Sequence, residues 1–259
     1  MAGTTGVRTR VTRVATWVVV ALVAVLGTEI GLAATQSPAV RAPSPVQLLQ
    51  EALIAARTAD AFHYRAVWST DGFSQIVEGD ALPTSGKESV SVGGDRFTVV
   101  VTEQMAYLEG NAASLRDQLG LPAATALANA GKWISLQQSD GPYPSVNEGL
   151  TTSAALAQVA IAPSSTEPVH HTRTPPLSRI KGKIPHGQMV TGSAQLDLIS
   201  RSKLPALYSA HGAGGGEPWT STIAFSHWGE KVAVDAPTGA RPFSSLQGAV
   251  PSSSRTPAT

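Results

Sequence analysis

The sequence predicts an α+β domain built on an antiparallel β-sheet. An amphipathic helix opens the folded part, and two long runs of period-two alternation flank an Ala- and Leu-rich middle. Glycine and proline occupy 24 and 18 of the 259 positions, more than the roughly 12% that the two share in average proteins. Such a share favours a fold with frequent turns over a helix bundle.

The N-terminus predicts export from the cytoplasm. Residues 1–13 contain three arginines and no acidic residue, and residues 14–26 are uncharged and mostly apolar. Gly31 and Ala33 then offer a small-x-small cleavage pattern. We expect 1–34 to be a signal peptide of a secreted protein. Retention as an uncleaved helical membrane anchor stays open, although the apolar core is shorter than the roughly 20 residues of a typical spanning helix.

Charge and cysteine content exclude several classes of function. Three of the 19 basic residues and one of the 18 acidic residues precede Thr35, which leaves 16 against 17 afterwards. A net charge near −1 predicts no nucleic-acid partner. The chain has no cysteine, which excludes disulfides, thiolate metal sites and a thiol nucleophile.

A spacer and a helix follow the export segment. Residues 35–44 contain several prolines and serines and predict a linker. Ser44, Pro45 and Gln47 match a helix N-cap, first turn and capping box. The face predicted to pack on the core contains four apolar residues: Val46, Leu49, Leu53 and Ala56.

Alternation then predicts strands. The first strand candidate begins at Phe62, where apolar and aromatic residues occupy every second position: Phe62, Tyr64, Ala66 and Trp68. Further strand candidates in the first half are 73–79, 88–94, 96–104 and 105–110, and those in the second half are 169–174, 179–185, 193–200, 204–211 and 221–227. Residues 225–237 predict a hairpin with Gly229 in its turn, and 239–259 predict a disordered tail.

The middle predicts short helices. Residues 111–131 are helical in pattern and broken at Gly120 and Pro122. Residues 132–136 predict a strand, and 150–163 predict another helix that Pro163 ends.

No complete catalytic motif is present, because Ser200 and Lys203 fit S-x-x-K but neither S-D-N nor K-T-G accompanies them. Neither H-E-x-x-H nor G-x-S-x-G occurs among the 259 residues. We therefore expect no enzymatic activity, no metal site and no cofactor.

The order of several weak motifs resembles the actinobacterial envelope lipoproteins of the LppX/LprG type. The motifs are "RFTVVVTEQMAYLEG", "AGKWISL", "RIKGKIP", "LPALYSAH" and "FSHWGEKVAVDAP". The resemblance implies a LolA-like fold over 45–238, in which a curved antiparallel sheet, a half-barrel, wraps around a few helices. This chain departs from that family in lacking the cysteine that carries the lipid anchor.

The resemblance also implies a function. Members hold acylated lipids between sheet and helices, so we expect an envelope carrier whose partner is an acylated lipid or glycolipid. The predicted lining residues are Trp68, Val99, Val101, Tyr107 and Trp133, and the alternative is that these side chains simply fill the core. A second hypothesis is an envelope sensor or regulatory domain that binds a protein partner or a lipid signal, which an uncleaved helix in the cell membrane would favour.

Overall fold

A computed structural model describes residues 42–169, 175–185, 191–214 and 217–247. The predicted export segment and nearly all of the predicted linker lie outside these ranges. Within them, no helix is both long and apolar enough to cross a bilayer.

Twelve strands form one sheet. Their bounds are β1 Phe62–Thr70, β2 Phe73–Ala81, β3 Gly86–Val92, β4 Asp95–Val101, β5 Met105–Gly110, β6 Ile134–Gln137, β7 Ala162–Val169, β8 Leu177–Lys183, β9 Thr191–Ile199, β10 Pro205–Gly214, β11 Glu217–Ser226 and β12 Arg241–Pro242. The helices are α1 Pro45–Thr58, α2 Ala112–Leu119, α3 Ala123–Asn129, α4 Tyr143–Val146 and α5 Thr152–Ala157, and a 3₁₀ turn covers Phe243–Ser245.

The sheet consists of two antiparallel meanders joined side by side. Strands β1–β6 pair in chain order, β7–β11 do the same, and β1 pairs with β11. Strand β12 pairs with β6 in parallel at one edge, and β7 is the other edge. The sheet is curved and does not close. The predicted α+β class and curved antiparallel sheet are therefore confirmed.

Helix α1 begins where the sequence predicts, but a different stripe of it is buried. The capping box is complete, because Gln47 N–H donates to Ser44 Oγ and Ser44 N–H donates to Gln47 Oε1. The buried residues are Leu48, Ala52 and Ala56. The predicted face was wrong at Val46, which is 51% exposed. The helix packs on β7, β8 and α5, and these contacts determine which of its residues are buried.

One face of the sheet carries the helices, and we call it the inner face. The first core joins α1 and α5 to inward side chains of β1–β3 and β8–β11. The second core joins α2, α3 and α4 to inward side chains of β4–β6 and to Phe243. Phe97 on β4 packs against both cores.

Close backbone approach on the inner face requires glycine. A Cβ at Gly79 would overlap the carbonyl oxygen of Lys87 and lie 2.8 Å from the Glu88 Cβ. A Cβ at Gly212 would overlap the carbonyl oxygen of Thr191 on the neighbouring strand. Side chains at these positions would push the strands apart and reduce the bend of the sheet.

The C-terminal region corrects two predictions. Residues 231–237 form no strand, so the predicted hairpin is wrong beyond β11. The tail predicted from 239 is wrong in its first part, because Arg241 N–H donates to the carbonyl of Trp133 and Phe243 is buried in the second core. The folded domain therefore extends past 238.

The middle also holds an unpredicted strand. Helix α5 ends at Ala157, and β7 occupies Ala162–Val169, where the sequence predicts a helix as far as Pro163. Strand β7 is mostly exposed and contains Pro163 and Pro168. Prolines are tolerated there because β7 is an edge strand with one unpaired side.

The glycine requirement predicts a loss of stability in the Gly79→Ala variant. Its added methyl group must displace the β3 backbone, so we expect the free energy of unfolding to fall by about 1–3 kcal/mol. Urea denaturation followed by circular dichroism measures the change. Gly94→Ala is the matched control, since a Cβ at Gly94 meets no atom within 4 Å. Equal stability of the two variants would contradict the close-approach argument.

Candidate functional site

The inner face is an apolar wall that crosses both meanders. Strand register places one row of side chains side by side: Tyr208, Ile223, Ala66, Val77, Val90 and Phe97. Period-two alternation puts all of these side chains on the face that carries the helices. The wall is therefore continuous across β10, β11 and β1–β4.

The helices cover this wall unevenly. Near the start of β1, Phe62 and Tyr64 are buried in the first core. Toward the other end of the strands, inward apolar side chains stay partly exposed, and we call them the open end: Ala66, Trp68, Phe73, Val92 and Phe97. Contiguous exposed apolar surface of this kind marks interaction sites in soluble proteins.

Aromatic rings dominate the open end. Trp68 and Phe73 meet edge to face with ring centroids 5.4 Å apart and planes at 70°. Gln75, the register partner of Trp68 on β2, is buried. The open end therefore offers flat apolar surface with few polar groups, which suits an apolar ligand.

A carboxyl group lies on the inner face at the covered end. Glu88 on β3 is the register partner of Gly79, which is in turn the register partner of Tyr64 on β1. Because Gly79 has no side chain, Glu88 and Tyr64 meet across β2, and the Tyr64 hydroxyl donates to Glu88 Oε2 at 2.7 Å.

Desolvation shifts both groups of this pair. Burial raises the pKa of Glu88 from its ordinary 4.5 to about 7, and the hydrogen bond from Tyr64 opposes part of that rise. Burial, followed by the charge of Glu88, raises the pKa of Tyr64 well above its ordinary value. Glu88 is therefore close to half protonated near neutral pH.

Four of the predicted lining residues lie in three different environments. Trp68 is at the open end. Val99 and Val101 face inward but are buried in the second core, where they pack against protein. Trp133 is half-buried just before β6 and belongs to neither core.

Tyr107 corrects the prediction outright. Its register partners are Val100 and Ser135, whereas the inward residues Val99 and Val101 pair with Leu108 and Ala106. Tyr107 therefore faces away from the helices and cannot line the hollow. The β4–β5 connection fixes this register, and alternation within each strand does not reveal it.

Sequence reasoning missed Glu88, although a signal was present. In "ESVSV", Glu88 alternates with Val90 and Val92, so the three share one face. An acidic residue on an otherwise apolar face indicates a buried carboxyl group, and such groups concentrate at functional sites.

A second depression lies along β2–β5. This shallow cavity of about 760 Å³ is lined mostly by outward residues of these strands, among them Glu78, Ser89, Thr98 and Glu109. It is open and its accessible surface is mostly apolar, and Val90 and Phe97 of the inner wall also contribute to its lining. Among the residues that the structure describes, no group of three or more His, Asp or Glu is placed to hold a metal ion.

Comparison with known proteins gives partial structural likenesses. No protein-family model and no curated protein matches the chain. Matching solved structures include the Pseudomonas aeruginosa MucA/MucB complex (14% identity, TM-score 0.34, 74% of this chain) and a LolA superfamily protein, NE2245 from Nitrosomonas europaea (8%, 0.27, 74%). A third is the hypothetical protein CT021 from Chlamydia trachomatis (13%, 0.31, 75%).

These matches differ in how much of the other chain they cover. The chain spans 61% of the matched chain in that complex, 98% of CT021 and 96% of NE2245. The LolA-like fold and the LppX/LprG resemblance stay predictions. Because every TM-score is below 0.5, the fold assignment rests on strand order and register.

The shifted pKa of Glu88 predicts a pH-dependent stability that Glu88→Gln removes. The unfolded chain loses this proton near pH 4.5 and the folded chain near pH 7. The wild-type free energy of unfolding should therefore fall as pH rises through this window, by up to about 3 kcal/mol. Relative to wild type, Glu88→Gln should gain stability between these pH values, measured by urea denaturation.

The exposed Glu51 on α1 provides the control for this measurement. Glu51→Gln removes the same charge from a solvated position, so its stability should follow wild type at every pH. Parallel curves for Glu88→Gln and wild type would contradict burial of the Glu88 carboxyl group.

Proposed function

We propose that the protein is an extracytoplasmic carrier that holds the acyl chain of a lipid or glycolipid against the open end of its inner face. The observation that supports this is the partly exposed apolar surface formed by inward side chains of β1–β4. The helices leave that surface uncovered. A ligand chain that removes it from water stabilises the complex by about 0.8 kcal/mol per buried CH₂ group.

The proposal needs no reactive group. Transfer of an apolar chain requires a dry wall and an exit, and the unclosed sheet offers both. The proposed location outside the cytoplasm rests on the export pattern in residues 1–34, and an uncleaved helix there would hold the carrier at the membrane.

A regulatory domain that binds a protein partner is the second candidate. It is favoured by α1, on which Val46 and Ile54 are 51% and 63% exposed. Exposed apolar side chains on one helix can provide contacts for a partner helix or strand. Under this proposal, protein binding would persist when the inner face is blocked.

Blocking the open end tests the carrier proposal. Ala66 lies in the middle of the wall and is only partly buried, so Ala66→Trp fills the space that an acyl chain would occupy. We expect at least a tenfold loss of affinity for a neutral fluorescent lipid probe, measured by titration, together with an unchanged far-ultraviolet circular dichroism spectrum.

Ala124→Trp makes the same change on the exposed surface of α3 and should leave probe affinity at the wild-type value. Native mass spectrometry of the protein from its producing cells should also show a bound acyl lipid. A ligand-free mass together with no probe binding by wild type would exclude the carrier function.

A further inference from the structure

Two buried polar groups beside the open end have no hydrogen-bond partner in the described part of the chain. They are the hydroxyl oxygen of Thr70 and the indole nitrogen of Trp219. Trp219 is only 7% exposed. An unsatisfied buried donor is costly and uncommon in folded proteins, so each such group requires an explanation.

The two groups are neighbours. Thr70 on β1 and Trp219 on β11 are direct register partners, and both side chains face inward. On β10 the register partner of Trp219 is Gly212, and the register partner of Gly212 on β9 is Gly192. Because both positions are glycine, no side chain projects from the sheet next to the indole ring there. The sheet thus places the two residues that carry these groups side by side at one end of the apolar wall.

The aromatic pair of the open end adjoins these donors. Phe73 is the register partner of Thr70 on the other side, and its ring contacts that of Trp68. Both rings are partly exposed. A ligand that enters at the open end meets these rings first.

The charges on the wall indicate which acceptor group fits. Three acidic residues occupy inward-facing positions on β3, β4 and β11: Glu88, Asp95 and Glu217. An inward-facing arginine, Arg241, lies on the edge strand β12 beside Ile134 and donates to Asn129. On β1–β4 and β9–β11 no lysine or arginine faces inward. An anionic ligand at the open end would therefore meet repulsion and find no inward cation on these strands, whereas an uncharged carbonyl oxygen can accept both hydrogen bonds.

We infer that Thr70 and Trp219 bind the carbonyl oxygen of an uncharged acyl ester or amide, and that the hollow selects neutral acyl lipids over free fatty acids and anionic phospholipids. This inference rests on the proposed carrier function and specifies its ligand class. The hydrocarbon chain contacts the wall, and the two donors hold the head of the ligand at the open end.

Two variants remove one donor each. Thr70→Val removes the hydroxyl and keeps the shape of the side chain, and Trp219→Phe removes the N–H and makes the ring smaller. Monopalmitoylglycerol, palmitate and hexadecane serve as probes of matched chain length, and displacement of a neutral fluorescent dye at about pH 8 reports their affinities.

We expect wild type to bind monopalmitoylglycerol at least tenfold more tightly than palmitate. Each variant should weaken monopalmitoylglycerol binding about three- to tenfold, the effect of one hydrogen bond, and leave hexadecane binding unchanged. Thr70→Val should also unfold at a higher urea concentration without ligand, because it removes an unsatisfied buried group and leaves no cavity. A variant that gains stability without ligand and loses affinity for monopalmitoylglycerol identifies a donor whose hydrogen-bond acceptor comes from the ligand.

The possible failures are distinguishable. If monopalmitoylglycerol binds equally to wild type and both variants, or if palmitate binds as tightly as the ester, the inference is wrong while the carrier function stands. If none of the three probes binds to wild type, the carrier function is wrong and the inference falls with it.

Discussion

The bend of the sheet depends on how closely neighbouring strands approach one another on the inner face. At Gly79 beside β3 and Gly212 beside β9, a side chain would overlap the backbone of the adjacent strand, so these strands approach this closely only because no Cβ intervenes. The two meanders continue as one wall across the β1–β11 pair. A flat sheet of the same strands would give the helices no hollow to enclose.

The helices in turn depend on that concave wall. Four of the five span between four and eight residues, too short to be stable alone in water. Their stability comes from packing on the sheet, which places them where the wall curves toward them. They fill the covered end in two cores and do not reach the far end of β1 and β2. The open end follows from this limited coverage.

The buried polar groups of the inner face differ in whether they have a hydrogen-bond partner within the protein. At the covered end, Glu88 and Tyr64 satisfy each other across a glycine, and the carboxyl group keeps a raised pKa. At the open end, Thr70 and Trp219 lie side by side without a partner among the described residues. The closed pair satisfies its hydrogen bond within the protein, whereas the open pair is satisfied only when a ligand supplies the acceptor.

The sequence by itself determined the local structure. Capping residues set the start of α1, Gly120 and Pro122 separate α2 from α3, and alternation located β1, β4 and β8–β11, because these signals act between residues a few positions apart. It also determined that Glu88 shares a face with Val90 and Val92. Only the tertiary structure decided that Tyr107 faces outward and that residues 231–237 pair with no strand. Register between strands and the coverage of each face depend on contacts between distant segments, which no local pattern contains.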